Sequence, residues 1–115
     1  MQLEVSIDKV DGKTAVVCLN GSLTLGTNLQ IADLRVQQLV SEGFNRLVLD
    51  LSGCPYCDSA GLGMLVHLYG MLQSSNGVVR LCGVSPRISE ILKMTRTDTL
   101  LPCDADRAAS LAASA

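Results

Sequence analysis

The chain has 115 residues, 48% of them hydrophobic and 3% aromatic, with no Trp and a formal net charge of −2. That length and apolar content suffice for one domain with a real core, filled by Leu, Val, Ile, Ala and Met and needing no metal or disulfide staple. Scattered Lys and Arg leave no basic stripe for nucleic-acid phosphates, and the scarcity of aromatics leaves no stacking platform for bases or sugars.

The opening MQLEVSIDKVDGK lacks a basic region followed by an apolar core, so no secretory signal is read and a cytoplasmic address is expected. Leu3, Val5 and Ile7 alternate with polar neighbours as far as Lys9, and Thr14 to Leu19 reads as a second strand across Asp11-Gly12. Together they predict a hairpin. From Thr27 to Glu42, Leu29, Ala32, Val36, Leu39 and Val40 recur at helical spacing, with Gln30, Asp33, Gln37 and Gln38 largely opposite and Gly43 closing the helix. Leu47 to Leu51 is a short apolar run broken only by Asp50, the pattern of a buried central strand, and Ser52-Gly53-Cys54-Pro55 ends it.

A second helix is expected from Asp58-Ser59 to about Ser75, stopped by Asn76-Gly77, and Val78 to Cys82 makes the next strand. Ser85 is a good N-cap, with Pro86 opening a helix through Met94. Leu100 to Cys103 reads as a short edge strand, and Asp104 to Ala113 as an Ala-rich helix with an acidic first turn. The order β-β-α-β-α-β-α-β-α predicts an α/β fold: a single domain over residues 1–115 with a four- or five-stranded mixed sheet and helices packed largely on one face. Ser59 to Val79 carries no Asp, Glu, Lys or Arg and is long enough to cross a bilayer. Its four glycines, with His67, Gln73, Ser74, Ser75 and Asn76, argue against membrane insertion.

The informative stretch is DLSGCPYCDSAGLGML, Asp50 to Leu65, where a buried strand gives way to a loop and then a helix. It places the Ser59 hydroxyl where unpaired helix N–H groups and the positive end of the helix dipole converge, a setting receptive to an anion, including a phosphate carried by the serine itself. The plainer alternative is that Asp58 or Ser59 simply caps the helix. On a wheel, Gly61, Met64, Leu65, Leu68 and Leu72 share one side, while Ser59, Gly63, Val66, His67, Gly70 and Ser74 form an opposite ridge that is low and nearly uncharged. Helix-interior glycines cost about 1 kcal/mol each relative to Ala, so Gly63 and Gly70 call for a compensating reason. Close approach by another protein is one reason, and packing by a neighbouring element of the same domain is another.

The same residues allow competing chemistries. Cys54-Pro55-Tyr56-Cys57 has the form of a glutaredoxin active site, and a helix N-terminus near Cys57 would lower its pKa. Against a thiol oxidoreductase, the pair lies after four elements, and neither Pro86 nor Pro102 sits in the cis-proline setting that such enzymes need. The odd count of five cysteines at irregular spacing instead fits reduced thiols acting as small hydrophobes. His67 is the single histidine, so neither a metal site nor a serine-hydrolase arrangement is supported, and no Gly-rich phosphate loop is present. No catalytic residue and no cofactor is expected.

Leu49-Asp50-Leu51-Ser52-Gly53 followed by Asp58-Ser59-Ala60-Gly61-Leu62-Gly63 resembles the signature of STAS domains, particularly bacterial anti-sigma factor antagonists. The resemblance extends to Leu19-Asn20-Gly21-Ser22-Leu23 with Thr27, and to Val84-Ser85-Pro86 through Ile91-Leu92-Lys93-Met94. It implies that Ser59 is phosphorylated by an anti-sigma factor that is also a serine kinase, that the unphosphorylated form binds this kinase and releases sigma, and that a serine phosphatase resets the cycle. The contact residues it implies are Thr24, Thr27, Asp58, Gly61, Leu62, Gly63, Val66 and His67. One departure is that the Asp commonly following G-x-L is Thr24 here, which favours a second role, a constitutive STAS subunit of a lipid-transport complex or stress-signalling scaffold.

Overall fold

The first turn is held by one carboxylate: Asp11 Oδ1 accepts from the backbone N–H groups of Lys13 (2.8 Å) and Thr14 (2.7 Å), and so sets the chain back on itself. In the computed structural model, which describes residues 2–114, this turn joins β1 (Glu4–Lys9) to β2 (Thr14–Asn20). There follow α1 (Thr27–Ser41), β3 (Arg46–Asp50), α2 (Ser59–Ser74), β4 (Val78–Cys82), α3 (Pro86–Met94), a 3-10 turn at Thr97–Thr99, β5 (Cys103–Asp104) and α4 (Arg107–Ser114). The five-stranded sheet runs β1-β2-β3-β4-β5. Only the β1–β2 pair is antiparallel, with Val5 opposite Leu19 and Ile7 opposite Val17; the other pairs are parallel, as crossover helices require.

The central strands are apolar on both sides because both faces are covered. Ala15, Val17 and Leu19 of β2, Leu47 and Leu49 of β3 and Leu81 of β4 join the main core with Val36 of α1, Leu65 and Leu68 of α2 and Ile88 and Leu92 of α3. Val16, Val48 and Cys82 point the other way into a smaller cluster closed by Leu111 of α4. Three helices therefore lie on one face, and α4 alone covers the other.

Arg107 fastens α4 to that face. Its Nη2 lies 2.7 Å from Cys18 Sγ and 3.4 Å from Asp50 Oδ2, and its Nη1 lies 3.5 Å from Asp8 Oδ2. Ser85 caps α3 as expected, its side chain accepting from the Ile88 N–H at 3.2 Å.

The expected boundaries near the C-terminus are corrected. Leu100 and Leu101 are not in a strand. Arg96 takes a left-handed conformation (φ 59°), and the N–H groups of Leu100 and Leu101 both turn back to the Thr97 carbonyl. Pro102 has no N–H to give; its carbonyl accepts from the Leu81 N–H at 2.8 Å, and pairing as β5 begins only at Cys103. Asp104 likewise belongs to β5 rather than to the first turn of α4, because Arg80 Nε and Nη2 grip it at 2.8 and 3.0 Å. The residue that receives the first-turn N–H of α4 is Asp106, whose Oδ1 accepts from Ala109 N at 2.9 Å.

Candidate functional site at the start of α2

Two loops lie side by side at the carboxyl ends of the central strands. Gly21 N–H donates to the Gly53 carbonyl (2.9 Å), Leu23 N–H to the Tyr56 carbonyl (3.0 Å), and Asp58 N–H to the Leu23 carbonyl (3.0 Å), so Leu23 and Cys57 form a parallel bridge outside the main sheet. Asp50 shapes the start of the second loop, its Oδ1 accepting from the N–H (3.0 Å) and the hydroxyl (2.7 Å) of Ser52.

Asp58 completes the join. It is the N-cap of α2, and its Oδ1 accepts from Gly61 N at 2.9 Å. Its Oδ2 accepts from Leu25 N at 3.0 Å, so a single carboxylate ties the loop before α1 to the first turn of α2. The backbone N–H of Leu25 first, and that of Gly61 next, hold this carboxyl below the usual carboxylate range. Asp58 is therefore ionised throughout the physiological range.

Ser59 is the first residue of α2 and is exposed. Behind it Gly63, Val66, His67, Gly70 and Ser74 are exposed as well, so among the described residues no element covers this ridge. His67 Nδ1 reaches Asp33 Oδ1 of α1 at 3.3 Å, closing one wall of a shallow groove of about 260 Å³ floored by Gly63 and Met64. In the loop before α2, the Tyr56 ring is covered by Arg87 of α3, 4.5 Å from its centroid.

Of the expected contact residues, Thr27, Gly63, Val66 and His67 are exposed, and Thr24 and Asp58 are half-buried beside them. Gly61 is corrected. It is buried, and a Cβ there would strike the Leu23 carbonyl oxygen, so its role is to let two backbones approach. Leu62 is half-buried and packs in part against the core. Leu25, whose N–H is held by Asp58, was not among the expected residues and is 79% exposed. A large apolar residue flanked by Thr24 and Gly26 in a loop was the available signal.

The expected lowering of the Cys57 pKa by the helix start is also corrected. Cys54 and Cys57 are both buried, and burial pushes both thiols up, Cys57 to about 11 with help from Cys54 and Asp58. The helix N-terminus does not lower the Cys57 pKa, since Asp58 already occupies it and adds negative charge beside the sulfur. Among the described residues, no group of three or more His, Cys, Asp and Glu could hold a metal ion, and no helix is long and apolar enough to cross a membrane.

The fold and this site define a class: a small α/β module whose exposed, uncharged helix face meets a serine at the helix start. The particular family follows, because the STAS domain profile matches residues 5–109, and the chain belongs to that family. BtrV of Bordetella bronchiseptica, which bears the name of an anti-sigma factor antagonist, is 30% identical over 112 residues, 96% of this chain and 94% of that one. An anti-sigma factor antagonist from Mycobacterium paratuberculosis superposes with a TM-score of 0.83 at 21% identity, covering 97% of this chain and 93% of that one. The anti-sigma factor antagonist SpoIIAA in its unphosphorylated form superposes with a TM-score of 0.78 at 14% identity, covering 90% of each chain.

Proposed function

We propose that the chain is a phosphorylation-gated anti-sigma factor antagonist of the cytoplasm. Unphosphorylated, it binds an anti-sigma factor that is also a serine kinase, and sigma is released; phosphorylation of Ser59 dissolves the complex, and a serine phosphatase restores it. It performs no catalysis of its own. The observation that carries this reading is the exposed Ser59 at the first position of α2, continuous with the exposed ridge of Gly63, Val66 and His67. The relatives named as anti-sigma factor antagonists support it, as does SpoIIAA, whose structure is known in a phosphorylated form.

The geometry suggests how the gate would act. Asp58 already takes the Gly61 N–H, so a phosphate on Ser59 cannot be neutralised by that donor of the helix start. It adds about 1.5 to 2 negative charges beside the Asp58 carboxylate, at the edge of a face otherwise poor in charge. A partner closing over that face must desolvate the charge, and each 1.4 kcal/mol of that cost lowers affinity about tenfold.

The test is capture of partners from the native cytoplasm with Ser59→Ala and Ser59→Asp, identified by mass spectrometry. A serine kinase held by Ser59→Ala and not by Ser59→Asp supports the gate. Thr24, standing where the family usually has Asp, favours the second reading of a constitutive subunit, and equal capture of one stable complex by both variants would establish that reading instead.

A further inference from the structure

The most exposed large apolar side chain among the described residues is Leu25, and its backbone is fixed on both sides. Two residues upstream, Leu23 is tied through both its N–H and its carbonyl to Tyr56 and Asp58. At Leu25 itself the N–H is held by Asp58 Oδ2, and two residues downstream Thr27 begins α1. One exposed leucine on a protein surface is ordinary. Leu25 differs because its backbone is already immobilised and because it shares its tether with the serine: the carboxylate that holds it belongs to the residue just before Ser59.

We infer that Leu25 is the apolar anchor of the partner contact and that Asp58 is the positioning residue that holds it there. The inference rests on the reading of an anti-sigma factor as partner, and it commits that partner to an apolar socket next to the position of Ser59. A side chain on a fixed backbone loses little further freedom on docking, so its burial converts more fully into affinity. Anchors of this kind sit in desolvated pockets ringed by near-neutral contacts, and Thr24, Gly26 and Thr27, which line one hollow together with Leu25, can supply part of such a ring. Asp58 can perform its part only as a carboxylate. Its two oxygens serve two N–H donors, Leu25 and Gly61, whereas an Asn has one acceptor oxygen and an NH₂ group.

The probes are the purified anti-sigma factor kinases of the same genome, each titrated with the parent chain; the one that binds is used with the variants. Leu25→Ser is expected to weaken binding by about 30-fold or more, and Leu25→Met by no more than about threefold, since Met can fill an apolar socket. Asp58→Asn keeps a good N-cap and should leave the fold intact, yet amide hydrogen exchange at Leu25 should quicken by about tenfold or more. In the Leu25→Ser, Asp58→Asn double variant the loss should fall short of the product of the single losses, because a loosened Leu25 has already ceased to anchor. Leu25→Ser binding like the parent while Ser59→Asp does not bind overturns the anchor and leaves the gate standing. Fully multiplicative losses, or unchanged exchange at Leu25, overturn the positioning role of Asp58. If no such kinase binds the parent chain, anchor and gate fall together.

Discussion

Gly61 lies so close to the main chain of Leu23 that any Cβ at position 61 would collide with the Leu23 carbonyl oxygen. Leu23 cannot retreat, because its carbonyl accepts from Asp58 and its N–H donates to Tyr56. This contact, and not the partner, accounts for a glycine in the first turn of α2.

Gly61→Ala should therefore destabilise the domain. Alanine recovers about 1 kcal/mol of helix propensity, but the clash is with backbone and has no flexible neighbour to absorb it. A net loss of about 1–3 kcal/mol is expected in urea or thermal unfolding. A Gly61→Ala protein as stable as the parent would mean that α2 and the Leu23 loop are free to separate.

The thiols give a prediction with a pH sign. Cys57 and Cys82 are each pushed up to about 11 by burial, so both stay protonated where a free thiol would begin to ionise. A thiol whose pKa is raised in the folded state contributes stability that is intact below the unfolded value, near 9, and lost as pH rises toward 11. Thermal unfolding should hold steady from neutral pH to about 8.5 and fall steeply above. Native-state alkylation at pH 8 should leave Cys54 and Cys57 unmodified while the exposed Cys103 reacts. Rapid labelling of Cys57 at that pH would restore the redox reading.

Most of the architecture was legible because its signals are local. Asp11-Gly12 closes the hairpin, Ser85-Pro86 opens α3, and the apolar run of β3 marks a strand covered on both faces. What was not legible depends on contacts between distant segments. The start of β5 is set by Pro102 and the Thr97 turn, and Asp104 is drawn out of the α4 start by Arg80, which lies 24 residues earlier. At the site, helical periodicity correctly separated the exposed ridge from the buried side, placing Gly61 with the core; the family resemblance then counted Gly61 as a contact, against that periodicity. Leu25 was missed because its link to the site is a hydrogen bond to Asp58 across 33 residues.

The sheet edge offers a test of how α4 and β5 are held. Asp104 accepts a bidentate pair from Arg80 and a third hydrogen bond from Ser110 Oγ at 2.6 Å. The Arg80 guanidinium above all holds the Asp104 carboxyl below its ordinary range. A carboxyl lowered in this way contributes stability that is present above the unfolded value, near 4, and lost as pH falls through the folded value. Asp104→Ala should cost about 1–2 kcal/mol at neutral pH, because it leaves the Arg80 guanidinium half-buried without its acceptor. Because that contribution is already gone, the variant should show a smaller further loss than the parent between pH 4 and pH 3. Parallel acid-unfolding curves would mean that the pair is worth nothing to the fold.

Gly63 separates stability from function more cleanly than any other position. A Cβ there meets nothing within 4 Å, and the residue is an exposed interior position of α2, so the domain has no structural use for a glycine. Gly63→Ala should raise the stability of the isolated chain by about 0.5–1 kcal/mol through helix propensity alone. If another protein packs directly on the ridge, the same methyl group lies at the closest approach and should weaken the complex even as the monomer melts higher. The expected result is a higher Tm together with a loss of affinity of about tenfold for the proposed kinase partner, with Gly70→Ala giving the same rise and a smaller loss because it lies two turns farther from Ser59. Both variants binding as tightly as the parent would show that the partner does not approach the ridge, and would confine the contact to Leu25 and the first turn of α2.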